Sequence, residues 1–406
     1  MKPIGLSVVL VLSATTAFAE DFPPEIELAA PAGVWVTFDQ EDLSKPEAEG
    51  FPLGSPLRSD GRTAIYKVSQ DMLPVLSEFM HDRFKRCGGF LAHETEAAAI
   101  TSMNAPAARP RVAYTMDQQA TVTPLVAGVK ETSIRAVISD LSAYNNRYYR
   151  SDTGAEASRW LRSRWAALAA KIPGASAELY THSAWNQPSV ILTIPGAEKP
   201  DEIVALGGHL DSINGWGSAS ARAPGADDNA SGIAILTEAV RVLAESGYRP
   251  KRTIQFMGYA AEEVGLRGSQ AIATAYASGG KKVVGVIQFD MSNFAGSGEQ
   301  IFMLTDNVDA SLSAFTARLV DAYSGVTAAT TRCGYGCSDH ASWTKKGYPS
   351  AMAFESSFDG MNHQIHTERD TLATSGGDAS HSVPFAKLAV AFAVELAKTA
   401  AAGAKP

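Results

Sequence analysis

The chain predicts an α/β fold, a mixed, mostly parallel sheet sandwiched between helices, behind a small amino-terminal region of different character. Three observations carry this reading. Short apolar runs of strand length alternate with segments of helical spacing from about residue 120 onward. Acids and histidines gather just after those runs, where ligands collect in open α/β sheets. The composition, 45 % apolar and 19 % charged, supplies a core large enough for a domain of roughly 250–300 residues.

The amino terminus opens Met1-Lys2, continues with the apolar run Ile4-Gly-Leu-Ser-Val-Val-Leu-Val-Leu12 and reaches Ala17-Phe-Ala19. A positive residue, a short apolar run and a small-x-small ending describe a signal peptide over residues 1–19. A spanning helix needs about 20 apolar residues, so a membrane anchor is the weaker reading. Export to an extracellular or periplasmic location is expected, with no membrane partner.

Residues 20–112 form the next unit. They begin acidic and proline-rich (Phe22-Pro-Pro-Glu-Ile-Glu), include Val34-Trp-Val-Thr37 and offer a helix over Pro74–Met80. The unit ends in Asn104-Ala-Pro-Ala-Ala-Arg-Pro-Arg111, a joint suited to exposure and proteolysis. Two readings stay open: a propeptide that assists folding or blocks the site until it is cleaved, and a permanent small domain.

Residues 113–406 carry the alternating pattern. Gly154–Leu168 places Ala157, Trp160, Leu161, Trp165 and Leu168 on one helical face. Strands are expected at Val190–Ile194, Ile203–Leu206, Ile254–Tyr259, Val283–Phe289, Ile301–Leu304 and Ala351–Phe354. Helices are expected at Gly232–Ala244, Ser269–Tyr276, Ser311–Tyr323 and Val383–Lys398, the last closing the domain. The net charge of −8 and the lack of a Lys/Arg cluster argue against nucleic acid as a partner.

The chain has three cysteines. With export implying an oxidising compartment, Cys333-Gly-Tyr-Gly-Cys337 reads as a small disulfide loop. The competing zinc half-site has no second cysteine pair to complete it. Cys87 would depart with a cleaved propeptide.

The chemistry concentrates at the strand ends. His209 and Asp211 follow the Ile203 run, Asp228 precedes the helix opened by Gly232, Glu262 and Glu263 follow the Ile254 run, and Asp290 ends the Val283 run. A histidine and several acids held at buried strand ends are costly without a partner, and a metal ion would satisfy them together. Taken singly, each has a bland reading. Glu262-Glu263 could be a solvated helix start, Asp290 a turn residue and His366 a loop histidine.

Gly207-Gly-His-Leu-Asp-Ser212, Ala223-Pro-Gly-Ala-Asp-Asp-Asn-Ala-Ser-Gly232 and Ala260-Ala-Glu-Glu-Val-Gly-Leu-Arg-Gly-Ser-Gln270 together resemble the secreted bacterial leucyl aminopeptidases, a di-zinc exopeptidase family. The likeness runs through Gln288-Phe-Asp-Met291, Cys333–Trp343 and His363-Gln-Ile-His366, over about residues 117–395. It implies two zinc ions per chain, with His209 and Asp290 on one, Glu263 and His366 on the other, and Asp228 bridging. It implies Glu262 as general base for a water activated between the ions, and Asp211 as the acceptor of the second N–H of His209. Met291, Tyr335, Met352, Phe354, Phe358 and Ile365 match the family's apolar substrate pocket. Peptides with large apolar first residues such as leucine are the substrates so implied, and a monomer is expected.

The sequence departs from the pattern in three places. Asn229 stands where an acid follows the bridging aspartate, Met361 stands where a tyrosine is usual, and no accessory carboxyl-terminal domain is expected. Rival readings on the same fold are a carboxypeptidase, for which no carboxylate-binding cation is evident near the motifs, and a glutaminyl cyclase, which would use one zinc. A non-catalytic binding module would not keep both the base and five ligands.

Overall fold

The computed structural model describes residues 33–39, 51–84, 86, 88–104, 112–215, 220–401 and 403–404. The signal peptide, the start of the expected propeptide, Cys87 and nearly all of the proline-rich joint lie outside these residues.

The amino-terminal unit is a folded domain built on a four-stranded antiparallel sheet in the order β2-β3-β1-β4. Its strands are β1 (Gly33–Asp39), β2 (Arg58–Ser59), β3 (Thr63–Ser69) and β4 (Leu91–His93), and two helices join them, α1 (Met72–Phe84) and α2 (Glu96–Ser102). α1 is longer than the Pro74–Met80 stretch read from sequence. α2 starts at an N-cap, the Thr95 hydroxyl accepting from the Ala98 N–H at 3.1 Å. Val34, Val36, Phe38, Ala64, Tyr66, Leu73, Leu76 and Met80 form its core. Tyr149, Ile213, Ala261 and Val264 of the larger domain complete that same cluster, so the two domains share a core.

In the larger domain, α3 (Gln119–Val126), α4 (Glu131–Ser142) and α5 (Asp152–Ala169) precede the sheet strands β5 (Ser176–Tyr180), β6 (Ser189–Ile194) and β7 (Lys199–His209). Next come α6 (Gly232–Ser246), β8 (Arg252–Tyr259), α7 (Arg267–Ser278), β9 (Lys282–Phe289), β10 (Ile301–Leu304), α8 (Ala310–Leu319) and β11 (Ala328–Thr331). The chain ends with α9 (His340–Lys345), β12 (Ser350–Phe354) and α10 (Ser382–Ala397). The sheet order is β11-β10-β12-β9-β7-β8-β6-β5, with β7, β8, β9 and β12 parallel and β5, β6 antiparallel at one edge.

Alternation along the strands explains the sandwich. Val204 and Leu206 of β7, with Ile254 and Phe256 of β8, enter the core formed with α4, α5, α6 and α10. Ile203, Ala205, Met257 and Tyr259 point to the opposite face, beneath Ile272 of α7 and Trp343 of α9. α6 stops at Gly247, whose φ of 67° is the left-handed C-cap that favours glycine. No helix among the described residues is long and apolar enough to cross a membrane.

β7 lies between β8 and β9, and the chain leaves it toward β8 on one side before returning to β9 on the other. That reversal opens a crevice at the carboxyl ends of the three strands.

Candidate metal centre

Two groups of side chains converge in this crevice: His209, Asp228 and Asp290 in one, Asp228, Glu263 and His366 in the other. The ligand atoms within each group lie within 4.8 Å of one another. His209 is the last residue of β7, Asp290 follows β9, Glu263 sits in the turn after β8, and His366 lies in the long loop between β12 and α10. Asp228 belongs to both groups. Its Oδ1 is 2.9 Å from His209 Nε2 and its Oδ2 is 3.4 Å from His366 Nε2. His209 Nε2 is also 3.2 Å from Asp290 Oδ1, and His366 Nε2 is 2.7 Å from Glu263 Oε2. All five residues are buried.

Supporting bonds hold the Asp228 loop and the Asp290 carboxylate. The Asp370 carboxylate accepts the backbone N–H groups of Asp227 and Asp228, both at 3.0 Å. Asn229, joined to Asp228 by a cis peptide bond, donates from Nδ2 to Phe289 O at 3.0 Å and accepts from Gly232 N at 2.9 Å. That pair of bonds needs an amide, which accounts for the departure from an acid at this position. Ser338 Oγ donates to Asp290 Oδ2 at 2.6 Å, and Gln288 Nε2 donates to Ser338 Oγ at 3.1 Å.

Asp211 behaves differently from expectation. The nearest acceptor for His209 Nδ1 is the Asp211 backbone carbonyl at 3.1 Å, while its carboxylate Oδ1 stands 3.5 Å away. The carboxylate instead accepts the N–H groups of Glu262 and Glu263, at 3.0 and 3.2 Å. It therefore orients the turn that carries both glutamates.

The donor set fits a cation. Both oxygens of Glu263 and both ring nitrogens of His366 lack a hydrogen-bond partner among the described residues, although Oε2 and Nε2 approach closely. Buried polar atoms left this way are costly, and atoms converging on one point without donor–acceptor alignment suit an ion held between them. Imidazole and carboxylate together match zinc.

The electrostatics agree. Burial works against charging His209, yet Asp290 and Glu262 raise its pKa well above the usual imidazole range. His366 is raised in the same way, by Glu263 and Asp228 against burial. Burial lifts Glu263 to about 7 with help from Asp228, and lifts Glu262 well above the carboxylate range while His209 opposes it. Asp228 is held low, its bonds to His209 and His366 outweighing burial. The cavity thus draws positive charge to its centre. Glu262 belongs to neither metal group, yet its Oε2 lies 4.0 Å from His209 Nε2.

Beside the centre, Met291, Tyr335, Met352, Phe354, Phe358 and Ile365 pack in one apolar cluster with the Cys333–Cys337 disulfide. Met361, Phe302 and Leu304 belong to it as well. The two β10 residues read from sequence only as strand core.

The small domain lies against the centre. The His81 ring is 4.5 Å from the His366 ring. The Glu78 carboxylate presses on Gly215, where a Cβ would overlap it, and burial lifts that carboxyl to about 7. Beyond α1, the Arg86 guanidinium sits 4.7 Å above the Tyr335 ring. Across the domain boundary, Arg267 donates from Nε and Nη2 to Glu94 Oε1 at 2.9 and 2.6 Å, and stacks 4.4 Å over Trp185. These contacts had no sequence signal.

Residues 189–391 match peptidase family M28. A probable leucine aminopeptidase of Arthroderma otae is 41 % identical over 286 residues, covering 70 % of this chain and 78 % of the relative. The chain belongs to peptidase family M28. It is, accordingly, a zinc-dependent peptide hydrolase. A second relative, a probable leucine aminopeptidase of Arthroderma benhamiae, is 34 % identical over 98 % of this chain and 99 % of its own. Among solved structures, the LapA aminopeptidase of Legionella pneumophila superposes with a TM-score of 0.78 at 28 % identity, covering 91 % of this chain and 99 % of its own. That span exceeds the larger domain, so the small domain has a counterpart there. The sequence relatives are fungal, so the narrower likeness to bacterial enzymes is not singled out by them.

Proposed function

We propose that the protein is an exported M28 aminopeptidase that removes large apolar residues, leucine among them, from the amino termini of peptides, using two zinc ions and Glu262 as general base. The observation that carries this reading is the division of Asp228, one carboxylate oxygen toward each group, with Glu262 close by and outside both. His209 and Asp290 would hold one ion, Glu263 and His366 the other, and Asp228 both. Bound zinc polarises a carbonyl and lowers the pKa of a bound water.

The chain's own residues supply the rest. Glu262 is a buried carboxyl beside His209 and outside both metal groups, where it would take a proton from water and pass it to the leaving amine. Asp211 fixes its backbone. The apolar cluster around Tyr335 and Phe354 would receive the first side chain of the peptide. Relatives named leucine aminopeptidase support the same preference.

Residues 20–112 would be a propeptide following a signal peptide over 1–19. The His81 contact on His366, the Glu78 carboxylate against Gly215 and Arg86 over Tyr335 support this reading, in which the small domain would lie in the path of a substrate.

A screen of amino-acid arylamides beside amino-terminally acetylated peptides tests the activity. Leucine, methionine and phenylalanine arylamides should be cleaved and acetylated peptides left intact; cleavage of blocked peptides would sink the exopeptidase reading. Sequencing the mature protein tests the propeptide, and a first residue near Glu20 would refute it.

A further inference from the structure

We infer that Arg147 is a positioning residue, clamping the end of the His209 strand and the Asp228 loop in register so that the centre is shaped before metal binds. The inference rests on the two-metal reading above.

Arg147 lies between α4 and α5, far in sequence from every motif residue, and is 0 % exposed. Its fork spreads over four carbonyls. Nε donates to Leu210 O at 2.8 Å, Nη1 to Leu141 O at 3.2 Å and Pro224 O at 2.5 Å, and Nη2 to Gly225 O at 2.8 Å. Its backbone N–H donates to Ser212 Oγ at 3.0 Å, and Ser212 Oγ donates in turn to Ala223 O at 2.9 Å.

Two features separate this from ordinary packing. A fully buried guanidinium is normally paired with a carboxylate. Here its hydrogen bonds among the described residues go to carbonyls alone, while Asp370, Asp211, Asp228 and Glu263 act on it from longer range. Burial pushes its pKa down to about 10 and those acids oppose the fall, so it stays cationic at neutral pH. The carbonyls it holds also bracket the ligands. Leu210 sits between His209 and Asp211, and Pro224 and Gly225 open the loop to Asp228.

The fit around that loop is tight. Gly225 has φ +54°, and a Cβ there would stand 2.6 Å from Arg147 Nη2 and 2.6 Å from Ser212 Cβ. Arg147 grips the loop's carbonyls from one side, and Asp370 grips its N–H groups from the other. Asp228 must direct one oxygen to each group, so a small rotation of this loop would spoil both at once. Lysine cannot substitute, because a single ammonium lacks the fork that spans separate carbonyls.

The test uses the full chain carrying Arg147→Lys, Arg147→Met or the milder Ser212→Ala. Zinc affinity is measured by competition with a chromophoric chelator, the visible spectrum of the cobalt-loaded protein reports ligand geometry, and thermal unfolding of the metal-free protein reports stability. Zinc affinity should fall roughly 10–100-fold in Arg147→Lys, in the range seen when residues behind metal ligands are changed, and the cobalt spectrum should shift. Ser212→Ala should move both in the same direction by less, and it keeps the test open if Arg147→Met does not fold. Wild-type affinity and spectrum in Arg147→Lys, with only a lower unfolding midpoint, would overturn the inference. The wild-type measurement separates the two claims: failure to take up zinc there removes the two-metal reading and this inference with it, whereas equal uptake by wild type and variants removes the inference alone.

Discussion

Acid should remove one contribution to the small domain's stability, that of His93, while the raised Glu78 carboxyl works in the opposite sense. His93 ends β4, is 5 % exposed, and bonds through Nε2 to Thr37 Oγ1 at 3.0 Å and Ser102 Oγ at 3.3 Å. Burial first, then Lys345 and Lys346 of the larger domain, push its pKa down to about 3 from 6.5. A histidine depressed in the folded state stays neutral while the unfolded chain gains its proton, so stability is full above pH 6.5 and falls as pH drops toward 3. At 1.36 kcal/mol per unit, the loss between pH 8 and pH 5 comes to about 2 kcal/mol. Because the two lysines belong to the other domain, part of that loss falls on docking. Hydrogen exchange of β1, β3 and β4 at pH 8 and pH 5 measures it, with His93→Gln as control. Protection should fall by about 30-fold in wild type beyond the change shown by His93→Gln. Equal responses in the two proteins would refute the assignment to His93.

Glu262→Gln should cut turnover of leucine p-nitroanilide by roughly 10²–10⁴-fold while zinc content stays at the wild-type value; undiminished turnover would remove Glu262 from the chemistry. At the domain boundary, Glu94→Ala should cost the small domain less than about 1 kcal/mol, since the Glu94 side chain is 49 % exposed. Arg267→Ala should cost more, because it also removes the buried stack on Trp185. The readout is the rate of limited proteolysis between the domains, and equal rates in the two variants would contradict the stacking argument.

Most of the larger domain was legible in the sequence because its central strands are continuous apolar runs and its chemistry sits where those runs stop. β7, β8 and β9 are each buried on both faces, which makes them conspicuous, and His209 and Asp290 mark their ends. β5 and β11 were missed for the opposite reason. Ala328–Thr331 is short and half-exposed, with no pattern to distinguish it from loop. α4 did carry a signal in the spacing of Ile134, Val137, Ile138 and Leu141, all buried. The small domain's sheet went unread although Thr63–Ser69 has strand character.

Within the site, residue types were legible and their bonding partly was not. Asp211 next to His209 suggested a carboxylate–imidazole bond, whereas the fold turns that carboxylate to two backbone N–H groups. Asn229 looked like a neutral replacement, and its value lies in donating and accepting at once. Arg147 follows two asparagines and precedes two tyrosines, a context that reads as solvent-facing loop. Only the approach of Leu210, Pro224 and Gly225 in three dimensions makes it interior.

On the proposed reading Asp228 would serve two metal ions, and zinc titration of the chelated, metal-free chain counts them. Bound zinc should reach two ions per chain in wild type and fall short of two in Asp228→Ala, where the shared ligand is gone, with loss of leucine p-nitroanilide turnover. Saturation at a single ion in wild type, or full turnover by the metal-free chain, would rule out a shared two-metal site.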